Sequence, residues 1–154
     1  MKAIEYLEQI RRLDRQIDSK LAILSSLEAS ATKTTSTMES EVVSHTRNVH
    51  ALQDTIAKIM DLRNEIDADT DALVDLRDEA QHMIRHLDDV SCQTALVLHY
   101  VWLKPWDDVA AALSYNLRSV YKVRDRAIAR LDELIEQGQI VIGQSRALEG
   151  KPCI

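Results

Sequence analysis

Apolar side chains recur every three or four positions from residue 2 to about residue 28. That spacing places them along one stripe of an α-helix, with charged residues on the remaining surface. The stripe is formed by Ile4, Leu7, Ile10, Leu13, Ile17, Leu21, Leu24 and Leu27. The pattern therefore predicts a first amphipathic helix over residues 2–28.

A polar segment, ASATKTTST, follows at residues 29–37. Most of its side chains are small or β-branched and polar, and they compete with a helix for backbone hydrogen bonds. This composition predicts a loop between the first helix and the next element.

A second helical pattern runs from about residue 38 to residue 88 without proline or glycine. One apolar row falls at every seventh position: Leu52, Ile59, Ile66, Leu73, Ala80 and Leu87. A repeat of this length keeps one seam facing one neighbour, which is typical of a coiled coil. A second apolar row lies three or four residues from the first, and Asp69 and Thr70 interrupt this pattern. We therefore expect a kink or local weakness there.

These lengths predict how the two helices pair. At 1.5 Å per residue, the second helix would be roughly 75 Å long and the first only about 40 Å. In an antiparallel hairpin the first helix would then cover about half of the second. The uncovered apolar stretch, which would need the C-terminal unit or another protomer, consists of Leu73, Leu76, Met83, Ile84 and Leu87. We therefore expect self-association through the coiled coil, as a homodimer or a higher homo-oligomer.

Three shorter helical patterns occupy residues 90–137. The first lies in SCQTALVLHYVWLK at residues 91–104, and its expected core residues are Ala95, Leu96, Leu98 and Val101. The second runs from Trp106 to Leu113, with Pro105 at a first turn that accepts proline. Residues 138–154 contain all three glycines of the chain and no periodicity, so we expect a flexible tail.

The third short helix follows a turn at Ser114 and Tyr115. Asn116 is a good N-cap for it, because its side-chain oxygen can accept a hydrogen bond from a backbone N–H two or three residues on. The side chains expected on the buried face are Val120, Val123, Ala127, Ile128 and Leu131.

Composition agrees with a helical protein. The 154 residues include only three glycines and two prolines, which leaves few places for the tight turns of a sheet. Phenylalanine is absent. We predict an all-α fold with a long antiparallel coiled-coil hairpin at residues 1–89. A small helix-turn-helix domain at residues 90–137 and the tail at residues 138–154 follow it.

Charge is distributed unevenly along the chain. The formal net charge is −6, yet cations gather in the third short helix: Arg118, Lys122, Arg124, Arg126 and Arg130. Two helices joined by a tight turn, the second exposing cations near its N-terminus, form a helix-turn-helix that can enter the major groove of DNA. A three-helix bundle with a basic solvated face would have the same periodicity, and this alternative stays open.

The segment WDDVAAALSYNLRSVYKVRDRAIARL resembles the region-4 helix-turn-helix of sigma-70-type factors. Over residues 2 to about 136 the chain is similar to an uncharacterised family of phage and prophage proteins, related to the ArpU- and RinA-like late transcription regulators. The resemblance implies a phage-encoded, sequence-specific DNA-binding regulator, with late-gene control as its expected role. It also implies a bacterial cytoplasmic location.

The candidate DNA-binding residues lie on the third short helix and at its cap. They are Asn116, Leu117, Arg118, Ser119, Tyr121, Lys122, Arg124 and Arg126. By the resemblance, Leu117, Arg118, Tyr121 and Lys122 fall where sigma-like domains contact bases or backbone. Leu117 is a poor base reader, so we expect specificity to depend more on Arg118 and Lys122.

The sequence departs from the sigma-like pattern at three positions. Pro105 stands in place of a Ser or Thr cap, Ser114 replaces the usual turn glycine, and Asn116 replaces a Ser cap. Ser114 would be strained if that residue must be left-handed. The change at Asn116 keeps the capping chemistry.

Two other functions compatible with this organisation stay open. A small-terminase-like DNA-packaging protein also combines a helix-turn-helix with a coiled coil, but assembles as a ring. An adaptor would dock the sigma-like domain on host RNA polymerase and bind free DNA negligibly. The expected partners are therefore double-stranded DNA and, in the adaptor reading, RNA polymerase.

Other candidate chemistry is sparse. His82 and His86 lie one helical turn apart without an obvious third ligand, so we predict a solvated helix face and no metal. His99 lies in an apolar run and is expected to be a partly buried core residue. We predict no cofactor and no enzymatic activity, because no phosphate-binding loop or nucleophile motif is present.

Two bulk features bear on location. Cys92 and Cys153 are too few and too isolated for a disulfide framework, which favours a reducing compartment. No run of about 18 apolar residues is present, so we expect no membrane-spanning segment.

Overall fold

The computed structural model describes residues 1–38 and 45–143. The helices in chain order are α1 (Ala3–Met38), α2 (His45–Ile84), α3 (Val90–Leu96), a π-helix (Val97–Val101), α4 (Trp106–Leu113) and α5 (Leu117–Glu136). No strand occurs in this part of the chain, and the predicted all-α class is confirmed. None of the described helices is both long and apolar enough to cross a membrane.

The predicted loop at residues 29–37 is wrong, because α1 continues through it to Met38. The Thr32 hydroxyl donates to the Glu28 carbonyl oxygen one turn earlier at 3.0 Å. A threonine hydroxyl can therefore hydrogen-bond to a carbonyl oxygen of the helix itself, and the backbone keeps its helical conformation. The first helix has 36 residues rather than ending near residue 28.

The longer α1 changes the comparison of helix lengths. With 36 residues in α1 and 40 in α2, the two helices are about 54 and 60 Å long. The expectation that the first helix spans only half of the second is therefore wrong. The apolar residues that it would have left uncovered are instead buried within this single chain: Leu73, Leu76, Met83, Ile84 and Leu87.

The described residues form two compact units that do not coincide with the predicted boundary at residue 89. Unit 1 contains residues 1–13 and 72–143, and unit 2 is Asp14–Asp71 without the undescribed residues 39–44. The first turns of α1 and the last turns of α2 therefore belong with α3, α4 and α5. Their fully buried side chains include Tyr6, Leu7 and Ile10.

Unit 2 is an antiparallel pair of helical segments from α1 and α2. The Lys20 ammonium lies 2.6 Å from the Asp69 carboxylate, and Arg63 is paired with Glu28, so the pairing order is opposite along the two helices. Ile59 and Ile66, from the predicted seven-residue row, are buried. α2 is continuous from His45 to Ile84, so the helix is not interrupted at Asp69 and Thr70.

The apolar stripe predicted for α1 is only partly correct. Ile4 is 38% exposed and Leu21 is 45% exposed, whereas Ala3 and Tyr6 are buried. In the first turns of α1, Leu7 and Ile10 are therefore buried as predicted, and Ala3 and Tyr6 take the place of Ile4 on the buried face.

The predicted flexible tail begins with residues that are packed against unit 1. Ile140 is buried, and the Gly143 amide donates to the Glu79 carboxylate at 3.0 Å. Residues 144–154 of that predicted tail lie outside the described part of the chain.

Candidate nucleic-acid interface

The connection between α4 and α5 begins with a tight C-terminal cap. Ser114 has φ 57° and ψ 37°, which is left-handed backbone. The Tyr115 amide donates to the Ala110 carbonyl at 3.0 Å and the Ser114 amide to the Ala111 carbonyl at 3.3 Å. This pair of bonds is a Schellman motif, which normally places glycine at the left-handed position. The strain considered for Ser114 from the sequence is therefore present.

The start of α5 is fixed by a side-chain cap. The Asn116 side-chain oxygen accepts a hydrogen bond from the Ser119 amide at 2.8 Å, and Asn116 itself is extended. The predicted N-cap is confirmed. α4 spans Trp106–Leu113 as predicted, and Pro105 is its N-cap residue, which makes no side-chain cap bond.

One face of α5 packs against the unit 1 core, and the other is free for a ligand. The buried residues of α5 are Val120, Val123, Ala127, Leu131 and Leu134. Ile128, which was also predicted to be buried, is only half-buried. The exposed residues in its N-terminal half include Leu117, Arg118, Tyr121, Lys122 and Arg126, together with one acid, Asp125, which pairs with Arg124. Ser119 and Arg124 are half-buried, so the candidate residues do not share one environment.

Two of the candidate cations have no acidic partner in the part of the chain that the structure describes. Among the described residues, Arg118 and Lys122 form no ion pair, and they lie four positions apart on the same exposed face. At that spacing two side chains are neighbours on the helix surface. The N-terminal end of α5 therefore presents a pair of adjacent, uncompensated positive charges.

The other basic residues of α5 are paired. Arg126 lies 2.9 Å from the Asp89 carboxylate, and Arg130 lies 2.9 Å from Glu133. A hydrogen bond from the Ser91 amide, helped by Arg126, lowers the pKa of Asp89 and keeps its carboxylate charged. These cations are already compensated within the chain and are less available to a polyanion.

The charges on α5 run against the helix dipole. Its first turn has no acidic residue and its last turn has no basic residue. Cations at the N-terminus and acids at the C-terminus each disfavour a helix by roughly 0.3–1 kcal/mol. Placing Arg118 near the first turn and Glu136 at the end is therefore unfavourable for α5 alone. An anion bound at the N-terminus would reverse the first of these penalties.

A stack of aromatic rings supports this end of α5. The His99 imidazole stacks on the Trp106 indole with centroids 3.7 Å apart, and the Tyr121 ring meets Trp106 edge-on at 5.9 Å. The Arg124 guanidinium lies 5.7 Å from the Trp106 centroid and 5.2 Å from that of Tyr121. Arg124 also pairs with Asp125 at 2.8 Å. Arg124 therefore contacts both Trp106 and Tyr121, and these contacts restrict the position of the partly exposed Tyr121 ring.

His99 anchors the stack to α1. It is 9% exposed, which confirms the prediction of a partly buried histidine. Its Nε2 lies 3.2 Å from the Arg11 guanidinium and its Nδ1 lies 2.8 Å from the Lys104 carbonyl oxygen. Arginine can only donate, so Nε2 must accept and the proton belongs on Nδ1. Burial is the main cause that lowers the pKa of His99, and the nearby Arg11 and Arg124 act in the same direction.

The His82–His86 pair has a structural use. His86 Nδ1 lies 2.9 Å from the His82 carbonyl oxygen, within the last turn of α2 and the residues after it. Within residues 1–38 and 45–143, no three ligand-type side chains are placed to hold a metal ion.

Comparison with known families finds one match. The model of a family described as "Protein of unknown function (DUF1492)" matches residues 32–132. The chain belongs to the DUF1492 family. The matched range contains all of α2, α3 and α4 and most of α5, including every candidate residue from Asn116 to Arg126. Searches of curated proteins and of solved structures return no match.

The aromatic support was not predicted from the sequence of this DUF1492 chain. His99 was interpreted as a core histidine and Trp106 only as the first residue of a helix, although their rings stack on each other. With aromatics only 4% of the chain, the grouping of Tyr100, Trp102, Trp106, Tyr115 and Tyr121 within a short span was an available signal. The contribution of Arg11 was not accessible, because it depends on how α1 packs in unit 1.

Proposed function

We propose that this DUF1492 protein binds duplex DNA through the N-terminal end of α5. In this proposal it acts in the bacterial cytoplasm as a phage-encoded, sequence-specific transcription regulator, with late-gene control as its role. The observation that supports it most is the adjacent pair Arg118 and Lys122, which has no acidic partner among the described residues. This pair sits on a capped helix that follows a three-residue turn.

The geometry suits the major groove. A helix whose N-terminal residues are exposed can place arginine and lysine against guanine edges and phosphates. Asn116 and Ser119 fix the start of the helix, while Trp106 and Arg124 fix the flank beside Tyr121. Leu117 and Tyr121 accompany the cations on the exposed surface. Arg126, which is paired with Asp89, contributes less to binding in this proposal.

Selection from a random duplex library, followed by gel shift on the enriched sequence, tests the proposal. Arg118→Glu should weaken binding about 10- to 100-fold, because a bidentate arginine–guanine contact is lost and a repulsive charge is added. Lys122→Ala should weaken binding to all duplexes by a similar factor.

Arg130→Ala is the matched control, since it removes a cation from the same helix that is already paired with Glu133. It should bind nearly as well as the wild type. Equal binding by the wild type, Arg118→Glu and Lys122→Ala would exclude this end of α5 as the DNA-binding surface.

Self-association is retained as part of the proposal, but for a new reason. Among the described residues, unit 2 exposes the large apolar side chains Leu21, Ile23, Ile56 and Met60, which a second protomer could cover. A dimer would then present two recognition helices, one for each half-site of the DNA. Native mass spectrometry distinguishes the alternatives. A dimer favours regulation, and a ring of subunits favours a packaging role. Capture of host RNA polymerase without free DNA affinity would favour the adaptor.

A further inference from the structure

Leu117 is the first residue of α5 and is 39% exposed. It does not belong to the buried face, which consists of Val120, Val123, Ala127, Leu131 and Leu134. At 100° per residue, Leu117 lies on the flank of the helix between that core and the outward-facing Arg118. The fold therefore does not require an apolar side chain as large as leucine at this position.

Tyr121 continues the same flank one turn later. It is also 39% exposed, and residues four positions apart are neighbours on a helix surface. The Trp106 edge contact and the Arg124 guanidinium hold its ring from the other side. Leu117 and Tyr121 thus form a short apolar ridge beside the exposed Arg118, and we call it the 117/121 ridge.

The chemistry of the major groove limits what such a ridge can read. The thymine C5-methyl is the apolar group on the base edges there, whereas the other distinguishing groups donate or accept hydrogen bonds. A leucine cannot make those hydrogen bonds, but it can pack on a methyl group and remove both from water. Arg118, beside it, has the donors that suit a guanine.

We infer that the 117/121 ridge selects thymine, with Leu117 packing on its C5-methyl group, next to the base that Arg118 reads. This inference rests on the proposed function. It assigns a specificity-determining role to a residue whose side chain makes no hydrogen bond to a base. Each operator half-site should accordingly contain an essential thymine within one or two base pairs of a guanine.

The test uses the enriched duplex with each thymine replaced in turn by 2′-deoxyuridine, which lacks only the methyl group. At one or two positions the wild-type Kd should rise about fourfold, as expected for one lost methyl contact. In Leu117→Ala the same replacements should have a much smaller effect, because most of the side chain that packs on the methyl is absent. Val90→Ala, which shortens another exposed apolar residue of unit 1, should respond like the wild type.

The outcomes separate this inference from the proposed function. DNA binding that is insensitive to every deoxyuridine replacement, or equally sensitive in Leu117→Ala, would overturn the inference and leave DNA binding intact. No binding to any duplex would overturn the proposed function and the inference with it. Leu117→Met, which restores an apolar side chain of similar length, should recover the methyl dependence. Its failure to do so would also count against the inference.

Discussion

At the scale of single residues, Ser114 carries a backbone cost that glycine would avoid. Its φ of 57° is left-handed, a conformation that costs a non-glycine residue about 1–2 kcal/mol. Glycine would remove this cost, but it also loses more conformational entropy on folding. The first effect is the larger, so Ser114→Gly should raise the free energy of unfolding by about 0.5–1 kcal/mol. Urea denaturation followed by circular dichroism measures the change.

Ser119→Gly is the matched control for this substitution. Ser119 lies within the first turns of α5, where glycine should lower the free energy of unfolding by up to about 1 kcal/mol. If Ser114→Gly were also destabilising, the turn would not have the left-handed geometry described above.

His99 makes the stability of unit 1 depend on pH. Its folded-state pKa is lowered, mainly by burial, so the folded chain favours the neutral imidazole. Protonation would also place a donor on Nε2 opposite the Arg11 guanidinium, 3.2 Å away. The groups that face the ring are Glu8 and Arg11 of α1, Arg124 of α5, and Tyr100, Trp106 and the Lys104 carbonyl.

The sign of the pH effect follows from this lowered pKa. The stabilisation is fully present above the unfolded-state value near 6.5 and is lost as pH falls through the lower folded-state pKa. Denaturation at about pH 7.5 and about pH 5.5 should show a smaller acid loss in His99→Gln than in the wild type. His82→Gln, which removes an exposed histidine, should retain the wild-type loss.

At the scale of elements, the continuity of α1 is open to a direct test. Ala31 lies inside α1 but within the segment that the sequence predicted as a loop. Proline in a helix interior costs about 3 kcal/mol or more, whereas a surface loop accepts it. Ala31→Pro should therefore lower the free energy of unfolding by about that amount in chemical denaturation.

Val90→Pro provides the matched control. Val90 is the first residue of α3, and the preceding Asp89 has extended backbone that is compatible with a following proline. That variant should change stability little. An equally small effect of Ala31→Pro would mean that α1 ends before this residue.

The elements differ in how far the sequence predicted them. The sequence was sufficient for α4 and α5. α4 has the predicted bounds, Val120 and Val123 of α5 are buried as their spacing predicts, and Asn116 caps α5. The helix over residues 29–37 was not predicted, because a judgement from residue type alone does not include hydrogen bonds such as that from the Thr32 hydroxyl to the Glu28 carbonyl. The sequence also could not show that Asp69 pairs with Lys20, because the two residues are distant in sequence.

The candidate site was predictable only in part. The charge pattern identified Arg118 and Lys122, and both are exposed without an acidic partner among the described residues. The sequence could not separate them from Arg126, because Asp89 reaches Arg126 only after α3 packs on α5. The sequence analysis treated Leu117 only as a poor base reader. Its exposure next to the exposed Tyr121 is what indicates a role for it.

At the scale of the whole molecule, the net charge of −6 opposes binding to DNA. In the proposal the attraction comes from Arg118 and Lys122 of α5. Each phosphate contact contributes about −0.9 to the slope of log K against log salt concentration. With two such cations, we expect a shallow slope of about −2 per protomer. Lys122→Ala should reduce its magnitude by about one, as measured by fluorescence anisotropy across a salt series. A slope unchanged in Lys122→Ala would place the phosphate contacts elsewhere.

The most direct test of DNA binding by the N-terminal end of α5 is an NMR titration of the ¹⁵N-labelled full chain with a duplex of about 16 base pairs. The largest amide shift changes should map to residues 115–122, with smaller changes along the paired end of α5. Changes confined to other surfaces, or none at all at saturating duplex, would contradict the proposal.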